Sequence, residues 1–120
     1  MIDTLDEISV NLIKMGNDMS ETIVMSNEFP GLDFLGSRNA GEIIREKMDE
    51  IIAKKKLIIL DFNGILSISQ SFGDEIIGIY VRAFGVEHIK NNIEILNAND
   101  EIREILNFVV KYSKKHFKAA

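Results

Sequence analysis

The stretch from residue 57 to residue 77 constrains the fold of this chain more than any other part of its sequence. It begins with four consecutive apolar residues, Leu57 to Leu60, and continues into the polar corner DFNG at 61–64. An unbroken apolar run of this length is typical of a strand covered on both faces, as in the middle of a parallel sheet. Apolar residues return with helical spacing from Ile76 onward. The stretch therefore predicts a buried strand that leads through a polar turn into a helix.

Further strands are predicted on both sides of this stretch. Alternating residues at 8–15 and a short apolar run at 21–25, with the turn residues Gly-Asn-Asp between them, predict an opening antiparallel hairpin. A strand is also predicted at 93–96. The connection that holds the single proline leaves room for one more short strand within 32–35.

Three helices are predicted, each with a residue at its start that is suited to capping. The expected N-caps are Ser37, Ser71 and either Asn99 or Asp100. The first helix is expected to end near residue 54, and Gly85 is expected to end the second.

The resulting order, β-β-α-β-α-β-α, places the chain in the α/β class. Strands separated by helices form parallel crossovers, and the opening hairpin would add an antiparallel pair. We therefore expect a mixed sheet of four to five strands flanked by helices. A chain of 120 residues has the size of one domain, so residues 1–120 are predicted to form a single unit.

Composition excludes several classes of function and location. Cysteine is absent, which excludes disulfides, thiolate zinc sites and cysteine nucleophiles and favours the cytoplasm. The net charge of −5 argues against nucleic acid as the main partner. The N-terminus is acidic, and no apolar run approaches the roughly 20 residues that span a bilayer, so neither secretion nor membrane insertion is expected.

Familiar catalytic and nucleotide-binding motifs are absent from the sequence. The two histidines, His88 and His116, are far apart along the chain and carry no metal-ligand spacing. We therefore predict a protein that is not an enzyme, that uses no metal or cofactor, and that is a monomer or a weak homodimer.

The remaining polar side chains of interest lie where the buried strand passes into the second helix. In an open α/β sheet this edge is the usual binding edge, because helix N-termini expose backbone N–H groups there. Ser71 and Asp74 have the spacing of a capping box, so capping and binding both stay open. Two roles also stay open for Phe72, which either packs in the core or stands exposed as an anchor for a partner. The candidate binding residues are Ser67, Ser69, Gln70, Ser71, Phe72, Asp74 and Glu75.

The segment at 58–75, IILDFNGILSISQSFGDE, resembles the signature of the STAS-like family of unknown function. That signature has a strand ending in L-D-F-x-G-[IV], followed by S-I-x-x-[SA]-F-x-D-E. The residues LGSR at 35–38 are similar to the family's G-S-R helix opening, so the resemblance extends from about residue 32 to about residue 110. More distantly, the element order and the D-x-x-G-[IV] corner resemble the STAS domains of anti-sigma factor antagonists, which implies a regulatory role in bacterial-type signalling.

The same resemblance bears on phosphorylation. In the antagonists the corresponding turn reads D-S-S-G or D-S-T-G, and its first serine is phosphorylated by a partner kinase with a histidine-kinase-like ATPase fold. Here Gln70 stands at that position and cannot accept a phosphate. Ser69 and Ser71 flank it as substitute sites, and the implied partner is a histidine-kinase-like ATPase or a serine kinase.

Three hypotheses of different classes follow. The leading one is a non-enzymatic regulatory module that docks a partner protein through the turn and helix start at 67–75. The alternative is a small-ligand or nucleotide-binding domain at the same edge, with Arg38 and Ser71 holding an anion. The third, which we favour least, is a hydrolase or transferase that uses Asp61, Asp74 or Glu75 as general acid or base.

Overall fold

The chain folds into strands and helices that mostly alternate along the sequence. The computed structural model describes residues 19–117. The strands are β1 (Ser20–Val24), β2 (Phe34–Leu35), β3 (Leu57–Asp61), β4 (Ser67–Ile68) and β5 (Ile93–Leu96). The helices are α1 (Met25–Glu28), α2 (Arg38–Ala53), α3 (Gln70–Gly73), α4 (Ile79–Phe84), α5 (Val86–Asn92) and α6 (Asp100–Lys114), and a π-helical turn (Asp74–Gly78) joins α3 to α4.

The centre of the fold is a three-stranded parallel sheet in the order β1-β3-β5. Ile58 in β3 lies opposite Glu21 of β1 and Ile93 of β5. Since β3 has a neighbour on each side and helices packed against it, Leu57 to Leu60 are all buried. This confirms the predicted central strand.

The sheet differs from the single mixed sheet of four to five strands that the sequence predicted. Among residues 19–117, β2 and β4 form a separate two-stranded parallel sheet, and all strand pairs are parallel. The reason lies at the corner after β3, where the Ile65 N–H donates to the Phe62 carbonyl and the next N–H, of Leu66, donates to Asp33 O at 2.7 Å. The chain thereby leaves the central sheet and pairs with the connection that precedes α2.

Two parts of the predicted opening have different outcomes. The short strand expected within 32–35 is present as β2, and the strand expected at 21–25 is present as β1. The first strand of the predicted hairpin, at 8–15, lies outside the described residues. The described strand β1 pairs in parallel with β3.

The two long helices, α2 and α6, each bury one face. Ile44, Met48 and Ile51 of α2 are buried, and so are Ile102 and Leu106 of α6. Ser37 and Asn99 cap these two helices, because their side chains accept the N–H groups of Ala40 and Ile102 at 3.0 and 2.9 Å. Gly85, with φ of 89°, ends α4 as expected. The helical segment 70–84 packs against both α2 and α6. No helix within residues 19–117 is both long enough and apolar enough to cross a membrane.

Candidate functional site

The corner that follows β3 is held by the carboxylate of Asp61. Its Oδ1 accepts the backbone N–H of Asn63 at 2.9 Å and the side-chain amide of Asn97 at 2.9 Å. A carboxylate oxygen that organises a turn in this way is committed to local hydrogen bonds. Asp61 therefore hydrogen-bonds the backbone of the corner that it opens.

The start of α3 is fixed by Ser69 and not, as predicted, by Ser71. The Ser69 hydroxyl accepts the Phe72 N–H at 3.0 Å and donates to Gly36 O at 2.8 Å, while its backbone N–H donates to Leu35 O at 3.0 Å. Pairing between β2 and β4 therefore sets the capping position two residues earlier than the S-x-x-D spacing suggested. Ser71 lies inside the first turn with its side chain exposed.

The seven predicted binding residues separate by burial. Gln70 and Ser71 are exposed, and Ser67, Ser69 and Asp74 are half-buried. Phe72 is fully buried, which decides for the core alternative and removes it from any docking surface. Glu75 is only 3% exposed, so the prediction that it lies on the docking surface is also wrong. The sequence did not reveal its burial because the partners that neutralise it come from α2.

Arginines from two helices enclose the carboxylates of the π-helical turn. Arg38 and Arg45 of α2 both pair with Glu75, the latter through its Nε at 3.1 Å. Arg38 also donates to Asp74 Oδ2 at 3.1 Å. Arg82 of α4 binds Asp74 with both terminal nitrogens, at 2.5 and 3.1 Å, and donates to Ser113 Oγ at 3.1 Å. We call these three arginines and two carboxylates the arginine cluster.

Electrostatics in the arginine cluster favours ionised side chains. Hydrogen bonds from Arg82, and secondarily from Arg38, hold the pKa of Asp74 below its ordinary value. Hydrogen bonds to Glu75 and Asp74 raise the pKa of the Arg38 guanidinium. A carboxyl group whose pKa is lowered is poorly suited to act as a general acid near neutral pH. The cluster has one more positive than negative side chain, which makes it weakly attractive to anions.

Close helix packing at two glycines makes the arginine cluster possible. A Cβ on Gly41 of α2 would lie 2.5 Å from the Cβ of Glu75. A Cβ on Gly78 would lie 2.2 Å from Asp74 Oδ1 and 2.9 Å from Val109 of α6. Within the π-helical turn, the Ile79 N–H donates to the carbonyl of Asp74, five residues earlier. Both glycines therefore allow the turn to approach its neighbours more closely than a side chain would permit.

A cleft of about 600 Å³ opens between the helical segment 70–84 and the C-terminal part of α6. The α2 and 70–84 side contributes polar and charged side chains, and the α6 side contributes mostly aromatic ones. Its lining residues are Arg38, Gln70, Ser71, Asp74, Arg82, Phe108, Val109, Tyr112 and His116. Of the predicted site residues, the cleft brings together Arg38, Gln70, Ser71 and Asp74.

The aromatic wall of the cleft was not predicted from the sequence. Phe108, Tyr112 and His116 follow one another at intervals of four, with ring centroids 6.5 and 4.8 Å apart. Phe108 and Tyr112 are 51% and 53% exposed, although they belong to a helix whose opposite face is buried. This spacing of aromatic residues beside, rather than within, the apolar face of α6 is the signal that would have indicated the wall. Arg82 carried no comparable signal.

The other histidine, His88, lies away from the cleft. It belongs to the helix α5, and its ring packs on Tyr80 and Phe84 with centroid distances of 5.8 and 4.6 Å. Burial lowers the pKa of the His88 imidazole. No group of three or more metal-ligating side chains occurs in the described part of the chain.

Exposed apolar side chains flank the start of α3 on its β2 and β4 side. Phe34 is 53% exposed and Leu66 is 61% exposed. Phe34 lies opposite Ser67 in the two-stranded sheet, and its ring packs against Gly36, whose carbonyl accepts the Ser69 hydroxyl. The two apolar side chains therefore stand beside the turn that carries Gln70.

Comparison with known proteins identifies the part of the chain that carries this site. A family model described as a STAS-like domain of unknown function (DUF4325) matches residues 40–103, which is just over half of the chain. The match includes the 57–77 stretch and begins after the residues LGSR at 35–38, so the similarity proposed for that segment stays a prediction. Neither the curated proteins nor the solved structures gave a match.

Proposed function

Because the chain belongs to the family of STAS-like domains of unknown function, we propose that it is a non-enzymatic regulatory module that docks a partner protein beside the start of α3. The family itself is the one that the segment at 58–75 predicted. We define the docking surface as Phe34, Leu66, Gln70 and Ser71. It retains the two exposed residues of the predicted turn and replaces the buried Phe72 and Glu75 with two exposed apolar residues.

The observation that carries the proposal is the pairing of exposed apolar and polar side chains on a fixed backbone. Phe34 and Leu66 are each more than half exposed, and exposed apolar groups beside polar ones are typical of protein interfaces. The backbone between them is held by the hydrogen bonds of Ser69 to Leu35 and Gly36. A surface ordered before binding loses less conformational entropy when the partner arrives.

The resemblance to anti-sigma factor antagonists supports a histidine-kinase-like ATPase or a serine kinase as the partner. Of the two candidate phosphorylation sites, Ser71 suits this proposal better than Ser69. The Ser69 hydroxyl is committed to the cap and to Gly36, whereas the Ser71 side chain is exposed. A phosphate on Ser71 would enter the cleft that Arg38 lines, where a guanidinium can pair with it.

A pull-down that compares matched phenylalanine variants tests the docking surface. The bait is the purified full chain, presented to a lysate of the organism that encodes it. Phe34→Ser and Leu66→Glu are expected to abolish recovery of the partner. Phe84→Ser is the control, because Phe84 is 59% exposed and lies at the far end of the helical segment 70–84, about 20 Å along its axis from the docking surface.

Each variant is first compared with wild type by circular dichroism, so that loss of binding is separated from loss of folding. Equal partner recovery by wild type, Phe34→Ser and Leu66→Glu would disprove the assignment of the surface. A partner lost with Phe84→Ser alone would place the interface at the other end of the helical segment.

A further inference from the structure

The cleft between α6 and the helical segment 70–84 has the size and the wall chemistry of a small-molecule site. Its volume of about 600 Å³ falls within the range of roughly 300–1,000 Å³ that ligand pockets occupy. Such pockets combine apolar or aromatic walls with a few polar groups that fix the orientation of the ligand. This cleft has both, on opposite sides, and it is distinct from the apolar part of the docking surface.

The charged wall offers hydrogen-bond donors that its own carboxylates do not use up. Arg38 reaches both Asp74 and Glu75 through the single nitrogen Nη1. A guanidinium has five N–H donors, so Nη2 and Nε of Arg38 are left for an acceptor in the cleft. The side chain of Arg38 is 48% exposed, which makes these donors accessible. Gln70 and Ser71 add neutral donors on the same wall.

The second arginine is held rigidly beside the aromatic wall. Arg82 is anchored by two bonds to Asp74 and by one to Ser113, the residue that follows Tyr112. This ties the charged wall to α6, the helix that carries Phe108 and Tyr112 of the aromatic wall. Arg82 and Tyr112 both line the cleft, so the cation and the ring approach the same space.

The aromatic wall presents ring surface that the fold does not cover. Tyr112 stands between Phe108 and His116, and 53% of it is exposed. An exposed ring of this kind can stack on a planar heterocycle, a contact that is tolerant of which base is bound. The fold itself does not require a tyrosine there, because the buried face of α6 is formed by Ile102, Leu106 and Val110.

We propose that the cleft binds a nucleoside monophosphate, with its base stacked on Tyr112 and its phosphate held by Arg38. The surplus of one positive charge in the arginine cluster favours one phosphate over a chain of several. A triphosphate would bring several further negative charges close to Asp74, and like charges repel at this distance. The other class of occupant is a peptide segment. Recognition of a peptide does not require an anionic group and a planar ring in one small molecule, which is the combination that the two walls are suited to hold.

The test uses the full chain and AMP as the probe, measured by isothermal titration calorimetry and by NMR chemical-shift changes. AMP is expected to bind saturably with a Kd below about 1 mM. Adenosine, which lacks the phosphate, and ribose 5-phosphate, which lacks the base, should each bind at least about tenfold more weakly, because each loses one wall of the cleft. The shift changes should include residues on both walls.

Matched variants separate the two contacts. Tyr112→Leu should weaken AMP at least about fivefold, as expected for loss of one stacking contact, whereas Tyr112→Phe and the exposed control Phe84→Leu should bind as wild type does. Arg38→Gln should weaken AMP by a similar factor, and Lys111→Gln, which removes an equal charge outside the cleft, should not. Arg38→Lys retains the charge, and circular dichroism of each variant separates loss of binding from loss of folding.

Three results would overturn the proposal. The first is that AMP shows no saturable binding at concentrations up to about 10 mM. The second is that AMP binds, but Tyr112→Leu and Arg38→Gln both leave its affinity unchanged. The third is that Tyr112→Leu loses the protein partner while no nucleotide binds to the wild type. The last result would assign the cleft to the protein interface. Failure of the docking surface, tested with Phe34→Ser, leaves the AMP measurement unaffected, so the two proposals fail separately.

Discussion

The substitution Gly78→Ala tests whether close packing of the π-helical turn maintains the arginine cluster. The added methyl group would lie 2.2 Å from Asp74 Oδ1, 2.9 Å from a methyl of Val109 and 3.0 Å from Ser113 Oγ. The first two separations are shorter than real Cβ contacts, so at least two neighbours have to move. Asp74 cannot turn away without weakening its two bonds to Arg82.

The expected magnitude comes from two opposing effects. Replacing glycine by alanine within a helix stabilises it by about 1 kcal/mol, because the unfolded chain loses less entropy. Overpacking costs about 1–3 kcal/mol, and loosening a charge-assisted hydrogen bond adds to that cost. We expect a net loss of about 1–3 kcal/mol in the free energy of unfolding, which lowers the Tm by about 5–15 °C for a chain of this size.

Gly73→Ala is the matched control in the same helical segment. Its added methyl would lie 3.4 Å or more from its nearest neighbours, Val109, Leu106 and Ile68, which is ordinary contact. We expect this variant to be unchanged or stabilised by up to about 1 kcal/mol. Urea unfolding followed by far-UV circular dichroism measures both variants, with the m value checking that each unfolds in one step. Equal stability of the two variants would refute the reasoning from close approach.

Three further predictions concern single side chains. Because the folded-state pKa of Asp74 is lowered, its contribution to stability is present above the unfolded pKa of about 3.9 and is lost as the pH falls through the lower folded value. The free energies of unfolding of wild type and Asp74→Asn, measured in urea between pH 6 and pH 2, should therefore converge at the acid end. Ser69→Ala should lower the free energy of unfolding by about 1 kcal/mol through loss of the cap, and a comparable loss in Ser71→Ala would show that the helix begins later than described. The His88 imidazole, whose pKa burial lowers, should titrate below about 6.5 in NMR spectra, and its contribution to stability should be present above that pH and decline as the pH falls; a midpoint above 6.5 would contradict its burial.

Features that depend on neighbours in the sequence were predictable. The buried run Leu57 to Leu60 indicated the central strand, and the caps Ser37 and Asn99 acted on helices that begin beside them. The corner formed by Asp61 was also a local arrangement. In each case the hydrogen bonds or apolar contacts that matter are encoded within a few residues of one another.

Features that depend on which distant segments pair were not predictable. Ser69 is the cap because Gly36, 33 residues earlier, accepts its hydroxyl. Glu75 is buried because α2 brings Arg38 and Arg45 to it, across 37 and 30 residues. The aromatic wall became part of a cleft only because Arg82 of another helix faces it. A single sequence contains each of these residues but not the helix packing that joins them.

The π-helical turn also sets the rotational phase of the helix in which it lies. A π turn takes up one residue more than an α turn, and each residue corresponds to about 100° of rotation about an α-helix axis. If the same residues formed an unbroken α-helix instead, everything after the turn would be rotated relative to Asp74 by about that angle. Arg82 would then turn away from Asp74, even though every side chain of the arginine cluster was still encoded. The π-helical winding of this five-residue segment therefore determines the cluster as strictly as the identity of its members does.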